Sequence, residues 1–172
     1  MSKSMQEILA STRPVKAEAT ICLDGELVLE RDRLQAEINR HAGWESTSLS
    51  DVDPRTALLE QLADVEARMR EASQRFVFRS IGGVASSDLL AAHPSPKGDD
   101  GEDLYAFDPK TYPAALVAAA SVDPVISVEE AEQLFDLLNL DQRNKLFNAA
   151  YTANNRSVDV PFSLPASEPT GG

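Results

Sequence analysis

Between Asp53 and Ala72 the chain carries Leu58, Leu62, Val65, Met69 and Ala72 at spacings of four, three, four and three. This apolar seam returns at heptad spacing, so the segment folds as a helix and needs a second helix to cover it. Asp53 is an N-cap residue and Pro54 suits the first helical position. Glu60, Asp64, Glu66, Arg68 and Arg70 flank the seam. It is too short for a long coiled coil and fits one arm of a helical hairpin. The other arm is predicted over 26–40, where Leu27, Leu34, Ile38 and His41 share a stripe, and Ala42-Gly43 ends it.

Two short segments read as strands. Residues 20–23 are β-branched and apolar, and residues 75–80 have strand composition. Paired, they make a two-stranded ribbon on which the hairpin sits. Gly82-Gly83 is a strand-to-helix turn, followed by a short helix over 87–93. Residues 94–103 contain prolines, glycines and four acids, and read as a linker. Beyond it, a three-helix unit is predicted over 111–154. Pro113 lies in the first turn of an Ala-rich helix whose small side chains admit close neighbours. Ser127 and Glu130 form a capping box, Asp141 caps the last helix, and Asn154-Asn155 ends it. The core is expected at Leu116, Leu134, Phe135, Leu138, Leu146, Phe147 and Tyr151. Val158, Val160 and Phe162 belong to a short extended docking piece.

The expected fold is therefore mainly α: an N-terminal helical hairpin with a small two-stranded β ribbon, and a C-terminal three-helix unit. The organisation is a disordered N-terminus (1–17), the hairpin with its strands (18–93), the acidic linker (94–103), the C-terminal helical unit (104–163) and a flexible tail (164–172).

The charge balance narrows the function. The chain has 172 residues, with 28 Asp and Glu against 16 Lys and Arg, a formal net charge of -12. Phosphate neutralisation drives nucleic-acid binding, so this balance argues against nucleic acid, and equally against anionic membrane. No apolar run approaches the roughly 20 residues of a membrane span, and no signal-peptide block opens the chain. A cytoplasmic protein with a protein partner is the expectation. Cys22 is expected to be a small buried residue. His41 lies at a helix end and His93 beside a proline, and with one Cys they have no zinc spacing. The acids of 99–103 do not keep the offsets of a calcium loop. Glu129, Glu130, Asp51 and Asp53 sit at helix starts, where the helix dipole accounts for them. There is no phosphate-binding loop and no nucleophile elbow. No metal, cofactor or catalytic set is expected.

A resemblance adds to this. In the C-terminal half it rests on Phe107-Asp108-Pro109-Lys110-Thr111-Tyr112-Pro113-Ala114-Ala115-Leu116, Val122-Asp123-Pro124, Ser127-Val128-Glu129-Glu130-Ala131-Glu132, Leu146-Phe147-Asn148-Ala149-Ala150 and Val158-Asp159-Val160-Pro161-Phe162-Ser163. The N-terminal half adds Leu23-Asp24-Gly25-Glu26-Leu27, Phe76-Val77-Phe78-Arg79-Ser80-Ile81-Gly82 and Asp88-Leu89-Leu90-Ala91-Ala92-His93-Pro94. In order and spacing the chain resembles the tail assembly chaperones of long-tailed bacteriophages (siphophages), especially those infecting actinobacteria. The resemblance implies a protein that binds the tape measure protein, a long apolar helical chain. It would keep that chain soluble in the host cytoplasm until tail tube subunits polymerise around it, and be absent from the mature virion. It also implies a longer product made by ribosomal frameshifting, through which the tail tube protein would be contacted, and self-association of the chaperone. The seam residues Leu58, Leu62, Val65 and Met69 are the candidate partner-binding groove, the other reading being that they pack on the 26–40 helix. A structural phage subunit (minor tail or head completion) and an adaptor for a host protein are the rival functions.

Overall fold

The structure is a computed structural model and describes residues 3–48 and 50–156. Among them the order is α1 (Met5–Ser11), β1 (Lys16–Cys22), α2 (Gly25–Arg40), α3 (Pro54–Glu71), β2 (Ser73–Arg79), α4 (Gly83–Ala92), α5 (Tyr112–Ala120), β3 (Ser121–Asp123), α6 (Val128–Leu137) and α7 (Leu140–Asn155). The chain is mainly α with a small β element, as its periodicity predicts.

β1 and β2 pair antiparallel, from Lys16 opposite Arg79 to Cys22 opposite Ser73. Alternation along a strand sends successive side chains to opposite faces. Ala19, Ile21, Phe76 and Phe78 therefore share the buried face, while Glu18 and Arg75 form an ion pair on the open one. The sheet has three strands, not the expected two: β3 adds antiparallel to β2. Three residues are too short to show an alternation, and nothing in Ser121-Val122-Asp123 marks a strand.

α7 lies across β1 and β2, and α5 packs against α6, α7 and β2. The sequence of α5, YPAALVAAA, is apolar all round, and such a helix belongs inside. Its small side chains meet Ala131 of α6 and Ala150 of α7, each fully buried. One core cluster joins Phe76 and Phe78 to Leu116, Phe135 and Leu146. The expected division into two units thus gives way to a core made by both halves of the chain, with β3 closing the sheet.

α2 and α3 pack on each other over a second, smaller cluster. Leu34, Leu62 and Val65 are its buried members, and Ile38, Leu58 and Met69 pack at its edge. Arg68 on α3 reaches Glu30 on α2 at 3.6 Å.

Four further expectations are corrected. The N-terminal segment holds α1, with Ser4 and Glu7 closing a capping box, and β1 begins at Lys16. The three-residue Ser/Glu spacing was the legible signal there. Residues 94–103 fold on themselves: Gly98 donates to the Glu102 carbonyl and Leu104 to that of Pro96, and Lys97 meets Asp103 at 2.9 Å. Gly101 at φ +81° makes this turn, a conformation side chains rarely adopt. The cap of α7 is Asn139, with Gln142 completing the box; Asp141 lies in the first turn. Tyr151 is 43% exposed, because α7 turns Leu146, Ala149, Ala150 and Ala153 inward. Of the other expected core residues, Leu116, Phe135 and Leu146 are buried, and Leu134, Leu138 and Phe147 partly so. The docking piece over Val158, Val160 and Phe162 lies outside the described residues, as does the 164–172 tail.

Candidate functional site

The seam proposed as a receiving groove is covered. Leu62 and Val65 are buried against Leu34, and Leu58 and Met69 close the edges of the same contact. A heptad seam must be covered by some helix, and α2 is the helix that follows β1 in the same hairpin. The sequence alone does not say which helix covers it.

An exposed apolar surface lies at the other end of α2. A groove of about 640 Å³ opens between the start of α2 and the α6–α7 junction. Val28 and Leu29 line it from α2, Leu134 and Leu137 from α6, and Leu138 just after α6; Leu23, one residue past β1, also lines it. Leu137 is 85% exposed, Leu29 72% and Leu23 58%. Single exposed leucines are ordinary on a protein surface, but three lining one groove form a patch of the kind that takes a partner.

Local chemistry explains why these leucines stand out of the core. Asp24 caps α2 through the amides of Glu26 and Leu27, fixing the helix start where β1 ends. Leu27 then points inward at 4% exposure, so Leu29 faces outward. On α6, Ala131 and Phe135 face the core. Leu137 is two residues beyond Phe135 and falls on the opposite side. Asn139 caps α7 directly afterwards and ends any chance of turning Leu137 in. Gln142 bridges the two walls: its Nε2 donates to the Cys22 carbonyl at 2.8 Å, while its Oε1 accepts from the Asn139 amide at 3.2 Å.

Charges of both signs surround the apolar groove. Glu26, Glu30 and Arg31 adjoin its α2 wall in sequence, and Asp136, Asp141 and Arg143 adjoin the α6–α7 wall.

The groups with chemical potential lie elsewhere. His93 Nδ1 is 2.8 Å from Thr111 Oγ1, and that hydroxyl donates to Asp108 Oδ2 at 3.0 Å. His93, Thr111 and Asp108 thus form one exposed hydrogen-bonded chain, in which either partner of the His93–Thr111 contact can donate, according to the histidine tautomer. The Asp108 amide returns to the His93 carbonyl, making a clip across the 94–103 turn. The Lys110 amide, above all, holds the Asp108 carboxyl below its usual range. Cys22 is half-buried rather than buried, its Sγ 3.5 Å from the Asp24 carbonyl. Among the described residues, no three His, Cys, Asp or Glu side chains gather as a metal would require, and no helix is long and apolar enough to cross a membrane.

No family model, no curated protein and no solved structure matches the chain.

Proposed function

We propose that the chain is a binding protein rather than an enzyme: a phage tail assembly chaperone that holds the tape measure protein soluble in the host cytoplasm. The observation that carries the reading is the open groove walled by Leu23, Leu29 and Leu137. A long apolar helix laid along it would bury these leucines against its own apolar stripe. The net charge of -12 supports the same role. Many acidic copies along one apolar chain would repel other such complexes and keep the assembly in solution. In this reading the α2–α3 hairpin and the α5–α7 helices are two arms presenting one groove. The copies leave as tail tube subunits take their place, so the chaperone is absent from finished particles. Contact with the tail tube protein, through a longer frameshifted product, and contacts between neighbouring copies belong to the same proposal.

The test is co-expression with the tape measure protein of the same phage. Wild type is expected to keep that protein in the soluble fraction. A Leu29→Asp, Leu137→Asp double variant, both positions being exposed, is expected to fold normally and to leave it insoluble. Equal solubility with both chaperones would refute the groove. Finding the chain at fixed stoichiometry in purified virions would favour a structural tail or head-completion subunit instead.

A further inference from the structure

A second groove lies where α7 ends. It measures about 310 Å³ and runs between α4 and the last turns of α7. Leu90 on α4, Tyr151 on α7 and Phe107 supply its apolar surface, and Ser86, Ser87 and Asn155 its polar rim. Leu90 is 41% exposed and Tyr151 43%, so two large apolar side chains are left partly open on the lining of one cleft. Hydrogen bonds and ring contacts frame the cleft. The Ile81 amide donates to Asn154 Oδ1 at 2.9 Å, and Asn154 Nδ2 donates to the Ala150 carbonyl at 2.8 Å, tying the start of α4 to the end of α7. The Phe107 ring lies tilted on Tyr112, with centroids 4.5 Å apart, and edge-on to Phe147 at 5.8 Å, which forms the floor.

The chain that leaves this cleft has the chemistry to fill it. Asn155 is both a lining residue and the last residue of α7. Three residues on comes Val158-Asp159-Val160-Pro161-Phe162, in which apolar side chains alternate with Asp159 and Pro161. In extended backbone such alternation puts Val158, Val160 and Phe162 on one face. Extended chain advances roughly 3.3 Å per residue, so Phe162 lies within about 23 Å of Asn155 and any of the three reaches the cleft without strain. Pro161 has no amide hydrogen and needs no ladder partner there.

We propose that residues 158–162 fold back over the end of α7 and dock in cis in the α4–α7 cleft, with Phe162 or Val160 between Leu90 and Tyr151. The occupant is this chain's own C-terminal segment, because it is tethered at the cleft's edge. Tethering gives it an effective concentration that a free partner does not have.

The experiment compares amide spectra of three chains: the full protein, one ending at Arg156, and full-length Phe162→Ala. Ser86, Ser87 and Leu90 are the reporters, since they are remote in sequence from both changes. The proposal expects all three to shift in both altered chains, with the full-length spectrum unchanged on dilution. It expects a peptide of residues 157–163, added to the truncated chain, to move them back. Unchanged α4 amides in the truncated chain would overturn the docking. Shifts that appear only at high concentration would overturn the cis arrangement in favour of a second copy.

Discussion

Gln142 on α7 donates its side-chain amide to the carbonyl of Cys22 at the end of β1, across 2.8 Å and 120 residues of sequence. The same side chain accepts from the Asn139 amide and so completes the cap of α7. One residue therefore both starts the last helix and holds it against the sheet, at the rim of the leucine groove. Gln142→Glu separates the two roles, since a carboxylate still accepts from Asn139 but no longer donates to Cys22. The variant is expected to lose about 1–3 kcal/mol, the cost of leaving a partly buried carbonyl unpaired. Urea unfolding of wild type and variant measures it, and equal midpoints would show that the Cys22 contact adds nothing.

The single core makes a second expectation. Phe78 is fully buried where the sheet meets α5 and α7. Phe78→Ala should cost about 3–5 kcal/mol, a large part of a small domain's stability. Melting should remain one transition by circular dichroism at every wavelength, because both halves share the cluster. Two transitions would mean that the halves unfold separately.

Glu18 and Arg75 face each other on the open side of the sheet. The hydrogen bond from Arg75, foremost, holds the Glu18 carboxyl below its ordinary range. A folded-state pKa below the unfolded one stabilises at pH above the unfolded value, and that stability is lost as pH falls through the folded value. The pair is exposed, so its effect on stability is small. The sharper readout is Glu18 itself: its titration by NMR should fall below that of a free glutamate, and Arg75→Ala should raise it. An unchanged midpoint in the variant would remove Arg75 as the cause.

What was legible in the sequence follows from the length over which a signal repeats. α3 announces itself through five apolar residues at heptad spacing with Asp53 and Pro54 at its start, and α6 through Ser127 and Glu130. β3 offers three residues and no period, so pairing with β2 decides it. Tyr151 misleads because an aromatic ring reads as core, whereas the close approach of α5 and α7 needs Ala150 and Ala153. The groove was missed for a related reason. Its leucines come from the β1–α2 junction, from α2 and from the end of α6, three places that only the tertiary fold brings together. Leu58, Leu62, Val65 and Met69 form the more regular pattern, and regular seams are what helices bury first.

The most direct test of the account follows helical peptides of the tape measure protein into the isotope-labelled chain by amide shift mapping. The account predicts saturable shifts concentrated at Leu23, Leu29, Leu137 and Leu138, with little change at Leu62 and Val65 inside the α2–α3 contact. No saturable shifts with any peptide, or shifts centred on the α2–α3 pair while the groove stays silent, would contradict it.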